Sequence, residues 1–226
     1  MAVQIVGATC SLGESVVDKL LSMDIDVIAK EESHRERNRT LLEYSDVSLL
    51  EKGSGFSISF DDSDADIVIG KDLIIHDLLP TRDDRWLSPE IRKWIEGEDI
   101  ETESRFWLSV IDAANAISHL AKAEIKVERM HMCGRREWSS KDSRAEFEML
   151  WQRTNQGITG NFTPETLFGH EIAGMEAKPI THIEAKRPNL EPLHETLLQI
   201  TGDGWRPLIP FRTGLMTLIA GIMDVE

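Results

Sequence analysis

At 226 residues the chain can bury one sizeable hydrophobic core, or one core with a small appended lobe, and is too short for a second full domain. A net charge of −15 and a pI near 4.9 argue against nucleic-acid or anionic-membrane partners, which need clustered Lys and Arg, while leaving room for a local basic cleft. Cys10 and Cys133 stand far apart without CxxC spacing, no secretory leader pattern opens the chain, and no apolar run approaches the ~20 residues of a bilayer span, so a reduced, cytoplasmic, unbridged protein is expected.

In chain order, an apolar strand from Val3 to Val6 runs into Gly7-Ala8-Thr9-Cys10-Ser11-Leu12-Gly13 and then a helix with Val16, Val17, Leu20 and Leu21 on one face. Strand, glycine turn and helix make a phosphate-binding opening, because the turn aims free N–H groups and the positive end of the helix dipole at an anion. A second strand, Ile25 to Ala29, ends in Lys30-Glu31-Glu32. The charged stretch Ser33 to Thr40 reads as a solvated loop or frayed helix. Leu41 to Val47 reads as a third strand, Phe56, Ile58 and Phe60 alternate as an edge strand does, and Ala65 to Gly70 reads as a buried fourth strand.

Leu73-Ile74-Ile75 follows Gly70 too closely for a parallel neighbour, since such neighbours need a crossover of about ten residues or more. Either 66–75 is one kinked strand, or its second piece leaves the sheet. Ser88 with Pro89 predicts a helix start, carrying Ile91, Trp94 and Ile95 inward. Phe106 to Val110 and Val127 to Met132 read as strands. Ile111 to Ala123 is an amphipathic helix, and a further helix starts at Ser139 or Ser140 and runs to about Thr154. Gly157 to Glu184 reads as loop, a short helix follows Pro192, and a last helix carries Leu215, Leu218, Ile219 and Ile222. The expectation is an α/β fold, a Rossmann-like parallel sheet of about five strands ordered around the first, with residues 1–133 as its core and 134–226 as a small C-terminal lobe whose final helix returns to the core, the whole forming one compact unit.

These residues together resemble the extended short-chain dehydrogenase/reductase superfamily, in its NAD-dependent nucleotide-sugar epimerase/dehydratase branch. Gly7, Cys10 and Gly13 fall at the glycines of that family's GxxGxxG turn, and Asp66-Ile67-Val68-Ile69 is similar to its fourth strand. Arg105 to Ile117 resembles a strand-to-helix segment of the family, Arg187-Pro188-Asn189-Leu190 its RPGD segment, and Gly204-Trp205-Arg206-Pro207 with Gly214-Leu215 its ending. The resemblance implies pyrophosphate contacts at Gly7, Thr9, Cys10, Ser11, Leu12 and Gly13, the adenosine ribose at Glu31, and adenine beside Asp46-Val47. It makes NAD the expected cofactor, with no metal, and Arg187 a candidate clamp for the phosphates of a nucleotide sugar.

The same comparison exposes a break. The family's redox step uses a Tyr-x-x-x-Lys pair, whose lysine helps the phenol pass a proton while nicotinamide takes a hydride. This chain has one tyrosine, Tyr44, with Ser48 four residues on, and only Gly70-Lys71-Asp72 stands where the family carries a long catalytic segment. A non-catalytic nucleotide-binding protein or partner subunit is therefore expected. The alternative is an NAD- or nucleotide-sugar-dependent enzyme using substitute groups such as His76, Asp77 or Asp112.

Individual residues keep more than one reading. Cys10 is a small buried residue, a neighbour that still admits NAD, or a thiol activated at a helix N-terminus. Glu31 is a ribose ligand favouring NAD over NADP, or a surface charge; Arg187 is a phosphate clamp or half of a salt bridge. His131 and Cys133 lack the partners of a zinc site. Trp86 and Trp138 are candidates for an interface or ligand platform. Loss of the family's dimer helices would uncover apolar surface near Ile67 to Ile75, which predicts a homo-oligomer, a second protein subunit, or a fold-back of the Trp86 to Ile95 region.

Overall fold

Strand β1 (Ala2–Val6) lies at the centre of a parallel sheet of order β3-β2-β1-β4-β5, formed with β2 (Asp26–Ile28), β3 (Leu49–Leu50), β4 (Phe56–Ser59) and β5 (Ile67–Val68). The expected class and five-stranded parallel sheet are thus the ones adopted. The computed structural model describes residues 1–98, 100, 102–159 and 187–224. Most of Gly157 to Glu184, expected to be loop, lies outside the described residues.

Helices α1 (Ser11–Ser22), α2 (Ser33–Arg37) and α3 (Arg39–Tyr44) precede β3. After β5 come β6 (Leu73–Ile75), β7 (Leu78–Leu79), α4 (Pro89–Ile95), β8 (Leu108–Ser109), α5 (Val110–Lys122), β9 (Met130–Met132) and α6 (Ser140–Thr159). Helices α7 (Glu191–Thr201) and α8 (Phe211–Met223) close the described chain. Strand β6 pairs in parallel with β9, and β7 with β8. Of the two alternatives for 66–75, the second holds: Leu73 keeps one bridge to Ile69, and the chain then joins another pair.

Two strand assignments change. Arg39–Tyr44 is helical, and the third strand starts only at Leu49, because Leu41 and Leu42 pack against the core from a helix and not from the sheet. Phe56–Ser59 is no edge strand. It pairs with β1 on one side and β5 on the other, so Ile67–Val68 is fifth in the sheet and not fourth.

The β4–β5 connection spans only residues 60–66, far shorter than the usual parallel crossover. Polar side chains make it possible. Asp66 accepts the Ser57 N–H at 2.9 Å and the Ser57 hydroxyl at 2.8 Å, and its own N–H donates to Ser57 Oγ at 3.0 Å. The next reversal uses Gly70 at φ +97° with Asp72 accepting the Val68 N–H at 2.8 Å.

Parallel register separates the sheet's faces. Leu49, Val27, Val3, Phe56, Ile5, Ile58 and Ile67 share one face and are all buried in the main core with α1 and α5. A second apolar cluster holds Leu79, Ile91, Trp94, Trp107, Phe147 and Leu215. Leu78 and Leu108 belong to the first cluster while Leu79 and Trp107 belong to the second, since neighbouring strand residues point oppositely and β7–β8 runs between the two. Both parts of the chain contribute to each cluster: Leu193, Leu197 and Trp205 join the first, and Leu79, Leu87, Ile91, Trp94 and Trp107 the second.

Candidate functional site

The glycine turn forms where β1 gives way to α1. Gly7 has φ +69°, and a side chain there would stand 2.7 Å from that of Asp61. Gly13 lets α1 pack on the turn, since a Cβ would lie 2.6 Å from the Ala8 Cα. That contact is structural whatever the turn binds. Cys10 is the N-cap, buried, with Sγ accepting the Gly13 N–H at 3.5 Å. Among the three readings of Cys10, the packing agrees with the small buried residue. Leu12 is fully buried in the core and Thr9 is exposed.

The front of this turn meets the chain's own loop. Asp84 Oδ2 accepts the Ser11 N–H at 2.6 Å, in the position where a helix N-terminus takes an anion. Arg82 donates to the Thr9 carbonyl at 3.0 Å and to Glu14 Oε1 at 2.8 Å. The Trp86 indole N–H donates to Cys10 Sγ at 3.3 Å. Trp86 is thus an internal contact of the turn. Buried Glu14 is shared by Arg82 and by Arg37 of α2, which binds loop, α1 and α2 together. Nothing in the sequence marked Arg82 or Asp84 as partners of residues 9–14, more than 65 positions earlier.

Glu31 stands just before α2 with its side chain 22% exposed, and its Oε2 lies 3.5 Å from His34 Nε2. His34 is fully buried, neither ring nitrogen has a hydrogen-bond partner, and burial holds its pKa below the ordinary value, with Glu31 the main opposing influence. Asp46 is exposed and Val47 buried. Both precede β3, whose register pairs Leu49 with Val27, so they sit toward the N-terminal edge of the sheet. The glycine turn and Glu31 are at its C-terminal edge. The structure brings Gly7 to Gly13 and Glu31 to one edge and leaves Asp46-Val47 at the other.

Arg187 is exposed and lines a cleft of about 650 Å³ with Arg135, Asn189, Glu191, His194 and Trp205. The cleft opens just past the carboxyl end of β9. Trp205 fixes its floor: the indole N–H donates to the Cys133 carbonyl at 3.0 Å, and the Trp205 backbone N–H donates to His194 Nδ1 at 3.1 Å. Arg135 and Arg187 set two guanidiniums there against the single Glu191 carboxylate, a local excess of positive charge on an acidic protein that suits phosphate oxygens.

Of the substitute acids and bases, two are engaged structurally. Asp77, at φ +51°, accepts the Phe106 N–H at 2.8 Å and pairs with Arg105, which also holds buried Glu90. Asp112 accepts the backbone N–H groups of Leu208 and Ile209, both at 2.9 Å, tying the segment before α8 to the start of α5. His76 faces His131, Nε2 to Nδ1 at 3.0 Å. Among the described residues no third His, Cys, Asp or Glu joins them to make a metal centre. Burial pushes the Cys133 thiol up to about 12. Trp138 packs within the second core, its ring 4.5 Å from Phe211.

No protein-family model and no curated protein matches the sequence. Solved structures do. The chain is similar to Pal from Bacillus thuringiensis over 100% of both chains, at 9% identity and a TM-score of 0.59. It is similar to dTDP-glucose 4,6-dehydratase from Bacillus anthracis, solved in complex with NAD, over 100% of this chain and 97% of that one, at 10% identity and a TM-score of 0.54. UDP-glucuronic acid 4-epimerase from Bacillus cereus, also solved with NAD, gives the same coverage at 11% identity and a TM-score of 0.51. At such identities the likeness is one of fold, and it agrees with the Rossmann-like, epimerase/dehydratase-like architecture that the motifs implied.

Proposed function

We propose that this chain is a non-catalytic Rossmann-fold protein whose ligand capacity is for a nucleotide or nucleotide sugar, held by its phosphates at the Arg135–Arg187–His194 cleft. The observation that carries the reading is the passage from β5 to β6 through Gly70, Lys71 and Asp72. That connection has no room for a segment bearing a proton-transfer pair. Tyr44, the one tyrosine, is 80% exposed on α3 and has no lysine four residues on. Asp77 and Asp112 accept backbone N–H groups, which supports structural roles for the two carboxylates nearest to the enzyme alternative.

For NAD the residues fit only in part. The positive φ of Gly7, the buried unpartnered Ser11 Oγ and a Glu31 Oε2 that makes no hydrogen bond suit a dinucleotide, while Asp84 stands against the Ser11 N–H that a pyrophosphate would take. A bound NAD would supply a hydride acceptor, and the sequence offers no phenol–lysine pair to move the accompanying proton.

The test is direct titration of UDP and dTDP by calorimetry, with turnover of UDP- and dTDP-sugars followed by product analysis. Binding that drops at least tenfold in Arg187→Ala and is poorly restored by Arg187→Lys, with no sugar converted, is the expected result. Conversion of a nucleotide sugar by the purified protein, lost on altering His76 or Asp77, would overturn the non-catalytic reading. Unchanged affinity in Arg187→Ala would overturn the assignment of the cleft.

A further inference from the structure

We infer that residues 82–86 are an internal ligand of the glycine turn: a lid, closed by Asp84, that a pyrophosphate-bearing dinucleotide must displace in order to bind. The Asp84 carboxylate does the electrostatic work of a phosphate. One oxygen accepts the Ser11 N–H at 2.6 Å at the positive end of α1, and the other accepts the Trp86 N–H at 2.9 Å, which fixes the carboxylate's direction. Arg82 and Trp86 seat the lid on both sides, on the Thr9 carbonyl and Glu14 and on Cys10 Sγ. Its base is clamped by α8, where Gly221 passes so close to Thr81 that a Cβ would stand 1.9 Å from the Thr81 oxygen. Close to that base, Asp83 is tied to α4 by an exposed pair with Arg92 at 2.6 Å.

A second observation says that the closed arrangement leaves the turn incompletely satisfied. Ser11 is 1% exposed and its hydroxyl has no partner, although its own N–H is taken by Asp84. A buried unpaired hydroxyl is unfavourable because it has given up its bonds to water without replacing them. Asp84 Oδ2 takes the Ser11 N–H and leaves the Ser11 hydroxyl unbonded, so the closed arrangement keeps one Ser11 donor for the acceptor oxygen of a phosphate. Glu31 Oε2, beyond the carboxyl end of the neighbouring strand, makes no hydrogen bond and lies 3.5 Å from His34 Nε2. The turn keeps unfilled acceptor and donor groups at both places a dinucleotide would span, and the lid covers only one of them.

Like charge and shared space make Asp84 and a pyrophosphate mutually exclusive, so the affinity for NAD includes the free energy of opening the lid. The experiment is NAD titration of wild type, Asp84→Ala and Arg82→Ala by calorimetry, with the Ser11 amide and the Trp86 backbone and indole signals followed by NMR. Asp84→Ala should bind NAD at least tenfold more tightly than wild type, and Arg82→Ala should move affinity the same way by releasing the lid from Glu14. On adding NAD to wild type, Ser11 and Trp86 signals should shift together as the lid leaves. Equal affinities in all three proteins, no NAD binding by any folded variant, or NAD binding with the Trp86 signals unmoved would each overturn the inference. If Asp84→Ala fails to fold, Arg82→Ala carries the test. The titration is repeated in an Arg187→Ala background, where loss of UDP binding leaves the lid comparison unaffected.

Discussion

His34 shows how a residue's environment can oppose its surroundings in sequence. It sits among Ser33, Arg35, Glu36 and Arg37, a run that reads as solvated, yet it is fully buried on the five-residue helix α2. Charge density carries no phase, and a single helical turn is too short for the apolar periodicity that would have placed one side inward. Burial keeps the imidazole below its ordinary pKa of 6.5 in the folded chain, with the Glu31 charge opposing. The sign follows directly. In acid the unfolded chain binds a proton on His34 that the folded chain resists, so stability falls as pH drops below 6.5 toward the lowered folded value. Urea unfolding at about pH 7.5 and about pH 5.5 should therefore show a lower midpoint in acid, and His34→Leu should reduce that difference. An identical pH dependence in wild type and His34→Leu would remove His34 from the account.

At the scale of elements, what the sequence conveyed depended on whether the signal was local. The N-caps of α4 and α5, Ser88 and Ser109, act through Ile91 and Ile111, and the first of these was legible from Ser88-Pro89 alone. Helices α1 and α5 were legible because their apolar faces repeat over several turns. The β4–β5 arrangement was not. Its tight parallel reversal depends on Asp66 reaching back to Ser57, a pairing that no spacing rule announces, and Phe56 to Phe60 alternates in the same way whether it lies at an edge or inside. Lys126 and the Ser57 donors hold the Asp66 carboxyl down to about 2. Its stabilising effect is therefore present above the ordinary value of 3.8 and is lost as pH falls toward about 2. Replacing it with alanine leaves the Ser57 N–H without its partner, at a cost of about 1–3 kcal/mol. Chemical denaturation should show Asp66→Ala destabilised in that range near neutral pH, and Lys126→Ala much less so because Lys126 is exposed. A stable Asp66→Ala protein would mean that the reversal is held by strand pairing alone.

Across the whole molecule, the sheet's two faces differ in kind. Parallel sheets are normally covered by helices on both sides. Here one face is uniformly apolar and buried, while the other places Leu50, Ile28, Gln4 and Ser57 in one row and Val6, Ser59 and Val68 in the next. Gln4 and Ser57 are half-buried at the centre, and Leu50 is 40% exposed at the edge. Turns lie against parts of this face: a side chain on Gly53 would meet Ile28 at 2.8 Å, and Ser59 bonds Asp61 at 3.0 Å. On this face Ile28, Ser59 and Val68 are nonetheless buried, so polar side chains and apolar burial are mixed within it. Of the Ile67 to Ile75 stretch whose exposure would favour association, Ile67, Val68, Ile69 and Leu73 are buried within one chain and Ile74 and Ile75 are half-buried. Among the described residues, the large apolar side chains left most exposed, Tyr44 at 80%, Leu208 at 70%, Met1 at 57%, Met216 at 53% and Ile111 at 49%, are scattered along the chain. Light scattering across a wide concentration range should accordingly give the mass of one chain, 25.6 kDa, with the high net charge of −15 further opposing self-association. A mass that rises with concentration and returns to that of one chain in Leu50→Lys would instead identify the second sheet face as an interface between copies.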